Sequence, residues 1–136
     1  MSKHEKTKSP ALDGVAVLVV EDHLPSARML SALLTAAGAD VKRVEDAESA
    51  AAVLDAFRPS VVVVDVVLPG TSGLALVETI KADVRTRNIV CIAVTVLNGP
   101  ESERVALAAG CAAYVRKPID TDTFVALVAR HLRSKS

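Results

Sequence analysis

Five times along the chain a short run of apolar, mostly β-branched residues gives way to a longer stretch with helical apolar spacing, and this alternation constrains the fold more than any other feature. The runs at 15–20, 61–64 and 89–94 are apolar at consecutive positions, as expected of parallel strands covered on both faces. Two weaker runs, 40–44 with Lys42 and Arg43 inside it and 113–116 ending in Arg116, carry charge and suit the edges of a sheet. Between them the spacing predicts helices over 26–37, 47–57, 74–82, 101–109 and 121–132. Gly38 and Gly110 stand as stops, and Asp120 is placed to cap the last helix. Strand-to-strand crossovers are right-handed, so a fivefold alternation predicts an α/β fold: an open, doubly wound, five-stranded parallel sheet with five helices on its two faces.

At 136 residues the chain has material for one core. The expected organisation is a flexible tail over 1–12, one domain over 13–133 and a short tail over 134–136, with no room for an output domain. The core must be built from Val, Leu, Ile and Ala, since Phe57, Tyr114 and Phe124 are the aromatic residues available. Sixteen basic residues balance sixteen acidic ones, which argues against binding to nucleic acid or an anionic membrane through overall charge. Cys91 and Cys111 lack Cys-x-x-Cys spacing and read as small buried residues of a cytoplasmic protein. The apolar run around Val61 is interrupted by Asp65 and is far shorter than the roughly 20 residues a membrane span needs.

Sheets of this kind bind ligands outside the carboxyl ends of their strands. Glu21 and Asp22 follow the first run, Asp65 ends the third, Thr95 ends the fourth and Lys117 follows the fifth. An isolated acidic pair such as Glu21 and Asp22 is ordinarily a helix cap, but five polar residues at equivalent strand ends form a constellation. A carboxylate inside an apolar run, as Asp65 is, costs several kcal/mol unless it is paired or meets a metal. Three carboxylates at one point favour a hard cation with few protein ligands, Mg²⁺ or alternatively Mn²⁺. His4, His23 and His131 are scattered and build no zinc site, and His23 reads as an exposed loop residue. Asp65 is placed to attack phosphorus, with the cation, the Lys117 ammonium and the Thr95 hydroxyl each meeting one phosphoryl oxygen.

The ordered motifs Val-Leu-Val-Val-Glu-Asp at 17–22, Asp-Val-Val-Leu-Pro-Gly-Thr-Ser-Gly at 65–73, Thr95, Ala-Ala-Gly at 108–110 and Tyr-Val-Arg-Lys-Pro at 114–118 resemble the receiver domains of two-component response regulators. The resemblance runs from about Val15 to Leu132. It implies a flavodoxin-like strand order of 2-1-3-4-5 and a stand-alone, chemotaxis-regulator-like switch. By the same resemblance Asp65 is the phosphoacceptor, served by a sensor histidine kinase or a histidine phosphotransfer protein, with a downstream protein as target. Asp22 would bind metal directly, Glu21 through water, and Val67 through its backbone carbonyl. Thr95 and Tyr114 resemble the switch pair that reshapes the surface of the fourth helix, fifth strand and fifth helix. The activity implied is confined to the protein's own phosphorylation and dephosphorylation.

Departures from the common pattern are Glu21 in place of a first Asp, Val96 after the switch threonine, and apolar Val67 and Leu97 two residues past Asp65 and Thr95. The competing readings are a receiver-like adaptor that is not phosphorylated and a dehalogenase-like aspartyl-phosphate phosphatase. The second would want an acid where Val67 stands. A flavodoxin-type electron carrier would want more aromatics and a Gly-rich loop.

Overall fold

The computed structural model describes residues 11–97 and 99–135. Its elements alternate as β1 (Ala16–Val20), α1 (Leu24–Ala36), β2 (Asp40–Val44), α2 (Ala47–Phe57), β3 (Val61–Asp65), α3 (Gly73–Ala82), β4 (Val90–Thr95), α4 (Pro100–Ala109), β5 (Ala113–Arg116) and α5 (Phe124–Lys135). The strands form one parallel sheet in the order β2-β1-β3-β4-β5, with the two charged strands at its edges.

The consecutive apolar runs are explained by the period of the strand, because successive side chains face opposite ways and both faces are covered. Val17, Val19, Val61, Val63, Ile92 and Val94 pack with Leu30 and Leu34 of α1 and Phe124 and Val128 of α5. Leu18, Val20, Val62, Val64, Cys91 and Ala93 pack with Ala50 of α2, Leu76 and Ile80 of α3 and Ala106 of α4. Helix α4 buries only Ala106 fully, and Val105 and Leu107 remain exposed. Apolar burial stabilises at about 25 cal/mol per Å², so α4 is held to the sheet less firmly than α3, which buries four residues.

Several boundaries differ from the sequence expectation. Residues 1–10 of the expected tail lie outside the described residues, but Leu12 is fully buried and its N–H donates to the Ala37 carbonyl at 2.9 Å. The domain therefore begins before residue 13, because a leucine beside the end of α1 and the start of β1 closes the end of one core. At the other end α5 continues to Lys135, through residues read as tail. It starts at Phe124 and not at Thr121. The Asp120 carboxylate accepts the Asp122 N–H at 2.9 Å, and its carbonyl accepts the N–H groups of Thr123 and Phe124, so a separate turn precedes the helix. Helix α1 starts earlier than expected, at Leu24, because His23 is the N-cap and Pro25 is tolerated in the first turn, where its missing N–H costs nothing.

Both cysteines are buried, and neither is in a disulfide. Burial, and next the neighbouring Cys91, push the Cys111 thiol up to about 12 against the opposing pull of the Lys81 ammonium. Alkylation requires the thiolate and access to it. Native protein at pH 8 should therefore resist iodoacetamide at Cys111 on a timescale that labels it completely in guanidinium, as read by peptide mass spectrometry. Prompt native labelling would show that this core opens locally.

Candidate functional site

Glu21, Asp65, Thr95 and Lys117 meet at the carboxyl ends of β1, β3, β4 and β5 because the parallel register brings those ends level. Val20 lies opposite Val64, Asp65 opposite Val94, and Thr95 opposite Arg116. Glu21 and Thr95 are fully buried, Asp65 is 6% exposed and Asp22 is exposed. Oxygen atoms of Glu21, Asp22 and Asp65 lie within 4.8 Å of one another. The sequence-derived cluster is assembled in space.

Lys117 follows β5 and reaches across the end of β4 to the acids. Its Nζ donates to Asp65 Oδ2 at 2.8 Å and lies 2.7 Å from Glu21 Oε1. Its backbone N–H donates to the Thr95 carbonyl at 2.8 Å, and the Lys117–Pro118 peptide is cis. The other Asp65 oxygen, Oδ1, accepts the Val67 N–H at 2.9 Å. Glu21 Oε2 accepts the His23 N–H at 3.1 Å, whereas Oε1 has the ammonium close by but no donor aligned with it. Burial raises the Glu21 carboxyl above its ordinary range in spite of Lys117, and Asp65 adds to the rise. For Lys117, burial pulls downward but is outweighed by the bond to Asp65 and the close carboxylates of Asp65 and Glu21, which raise it. Three carboxylates gathered around one ammonium, one of them with a buried oxygen to which no donor is aligned, offer only oxygen ligands and fit a hard divalent cation.

Val67 meets Asp65 through its amide, and its side chain is 54% exposed. Val96 and Leu97, 67% and 44% exposed, are likewise apolar and exposed in the loop that follows Thr95. Thr95 Oγ1 accepts the Leu97 N–H at 3.2 Å, and the half-buried Tyr114 donates its hydroxyl to the Leu97 carbonyl at 2.6 Å. One residue in the loop after β4, Leu97, thus joins the two expected switch residues, by its N–H to one and by its carbonyl to the other. Beneath α4, a hollow of about 190 Å³ is bordered by Val66, Leu74, Leu97, Val105 and Tyr114. A larger cavity, about 470 Å³ between Leu54, Arg58, Arg85 and Ile89, is at the opposite rim of the sheet, away from the acids.

Two supports of the site were not assigned from sequence. Gly73 begins α3 directly against Asp65, and a Cβ there would lie 2.1 Å from the Asp65 carbonyl oxygen, so the backbone contact requires glycine. Arg43 donates from Nε and Nη2 to the Glu21 carbonyl at 3.0 and 2.9 Å. Its signal in the sequence was a basic residue near the end of an edge strand, and charge there has the ordinary explanation of blunting an exposed edge.

The profile of the response regulator receiver domain matches residues 17–129. The phosphate regulon transcriptional regulatory protein PhoB of Pseudomonas aeruginosa is 31% identical over 88% of this chain and 52% of its own length. The polar-differentiation response regulator DivK of Brucella anthropi is 30% identical over 86% of this chain and 95% of its own. The chain thus spans about half of the first relative and nearly all of the second. Among solved structures, a response regulator from Chloroflexus aurantiacus superposes with a TM-score of 0.85 at 26% identity, covering 89% of this chain and 99% of that one.

The raised Glu21 carboxyl carries a pH signature. The folded state holds this proton more tightly than the unfolded chain, so the group costs stability increasingly as pH rises above 4.5. In metal-free protein at pH 7, Glu21→Gln should raise the thermal midpoint by about 2–5 °C. The gain should shrink as the pH is lowered toward 4.5. A variant less stable than wild type at pH 7 would mean that the ion pair with Lys117 outweighs the burial of the charge.

Proposed function

The chain belongs to the response-regulator receiver family, and we propose that it is a phosphorylation-dependent switch in which Asp65 accepts a phosphoryl group from a histidine kinase or a histidine phosphotransfer protein. The observation that carries this reading is the contact of Lys117 with both Asp65 and Glu21 at a rim shared with Asp22 and Thr95. In the transfer, a carboxylate oxygen of Asp65 would form a bond to phosphorus as the phosphorus–nitrogen bond of the donor breaks, and the departing imidazole nitrogen keeps the electron pair. The Val67 N–H and the Lys117 ammonium orient the nucleophile. Lys117 is also placed to follow the incoming charge, moving from a carboxylate to a phosphoryl oxygen without leaving the rim. Glu21, Asp22 and Asp65 would hold Mg²⁺, which supplies charge neutralisation at the phosphoryl oxygens when bound.

The same geometry supports a route outward. Thr95 Oγ1 accepts the Leu97 N–H and has its own proton to give to an incoming phosphoryl oxygen, which would draw the hydroxyl and with it Leu97 toward the acids, while Tyr114 holds Leu97 by its carbonyl. The hollow beside its ring and the few buried contacts of α4 leave the α4–β5 surface free to repack. Dehalogenase-type phosphatase chemistry finds no support, because Val67 has no proton to give. No helix among the described residues is long and apolar enough to cross a membrane.

The test is phosphorylation by acetyl phosphate with Mg²⁺. Wild type should gain one phosphoryl mass and Asp65→Asn none, while its thermal unfolding stays cooperative. A phosphoryl gain on the Asn variant would move the acceptor elsewhere.

The exposed apolar residues after Asp65 and Thr95 bear on lifetime. Hydrolysis needs a water aligned with the phosphorus, and Val67, Val96 and Leu97 offer it no side-chain hydrogen bond. The phosphorylated form should persist, and Val67→Asn should shorten its half-life several-fold after donor removal at fixed Mg²⁺. Equal decay in the two proteins would exclude this position from setting the switch-off rate.

A further inference from the structure

The Glu21 carbonyl stands where the ladder between β1 and β2 runs out. Glu21 N–H still donates to the Val44 carbonyl at 3.0 Å. Beyond Val44 the chain turns away, because Asp46 accepts the Ser49 N–H at 2.7 Å and caps α2. A side chain meets the next acceptor instead: the guanidinium of Arg43 closes on the Glu21 carbonyl with two bonds. Arg43 pairs in register with Val19, its side chain is 25% exposed, and Nη1 lies 3.7 Å from the exposed Glu45 carboxylate.

A charged two-donor fork restrains the orientation of its acceptor, which a single ammonium does not. The acceptor belongs to the rigid peptide plane that links Glu21 to Asp22. Orienting that plane sets the direction in which the backbone delivers Asp22. Glu21 is held by burial, Lys117 and the His23 N–H, but Asp22 is exposed, so its place in the cluster depends on its backbone.

We infer that Arg43 is a positioning residue for the cation site: by clamping the Glu21–Asp22 peptide it aims Asp22 at Asp65 and thereby raises affinity for Mg²⁺. The inference rests on the reading of Glu21, Asp22 and Asp65 as that site. Two competing accounts make different predictions. If Arg43 acts only as a charge, its repulsion of the cation is relieved on removal and Mg²⁺ binds more tightly. If it only packs the groove it shares with Leu24, Ala27, Arg28 and Ser31, stability falls and affinity stays.

The experiment compares the full chain with Arg43→Met, which keeps an apolar stem without charge or fork, and Arg43→Lys, which keeps the charge without the fork. Amide shifts of Val66 and Val67 report Mg²⁺ titration by NMR, and the carbonyl-carbon shift of Glu21 reports the clamp without metal. Both variants should show a moved Glu21 carbonyl signal and a Mg²⁺ dissociation constant raised about tenfold, the scale of losing a support behind a metal ligand. Unchanged or tighter binding in a folded variant overturns the inference. Should Arg43→Met not fold, Arg43→Lys decides alone. A wild type with no saturable Mg²⁺ response removes the cation-site reading and the inference together, whereas wild-type binding with unaffected variants removes only the inference.

Discussion

The ammonium of Lys117, 2.8 Å from Asp65 and 2.7 Å from Glu21, is the contact on which the upper rim of the sheet depends. Two carboxylates at the ends of strands that are otherwise apolar would each cost several kcal/mol if left alone. A single cation serves both, and it also ties β5 to β3 and β1 over the end of β4. The ladder bond from Lys117 N–H to the Thr95 carbonyl keeps that reach constant. The compensation is incomplete, because Glu21 Oε1 is buried without an aligned donor. An anionic centre left short of positive charge is well suited to recruiting a cation, and this is the property a phosphoryl-accepting site needs.

Rigid and yielding parts are segregated around this centre. Gly73 brings the start of α3 into backbone contact with Asp65, and α3 buries four residues, so the floor beneath that carboxylate is firm. On the other side α4 buries one, and the loop before it is joined to Thr95 and Tyr114 through the N–H and the carbonyl of Leu97. Local opening follows where few apolar contacts resist it. The route outward proposed for Thr95, toward α4 and β5, lies on this less firmly packed side.

Much of this was legible in the residues themselves. Unbroken valine runs identify strands covered on both faces, and the charges at Lys42, Arg43 and Arg116 identify the edges. Glu21, Asp65, Thr95 and Lys117 stood out because each stands at, or just past, the end of a strand-like run. Leu12 was misread because one leucine among polar neighbours has no periodicity, and its burial comes from the Ala37 end of α1 folding back beside it. The start of α5 was misplaced because an Asp before a helical pattern signals a cap, while here it closes a separate turn. Arg43 could be seen as basic but not as a clamp.

The sequence by itself determined the α/β class, the edge and central strands and the identity of the acidic and basic rim residues, because these follow from local periodicity and from the cost of placing charge in an apolar run. Only the tertiary structure decided which atoms meet: Lys117 on both acids, Val67 through its amide, Tyr114 on the Leu97 carbonyl and Arg43 on Glu21. These contacts join residues on different strands and loops, some brought together across the width of the sheet. Their distances depend on register, strand order and the path of each loop, and no local pattern encodes those.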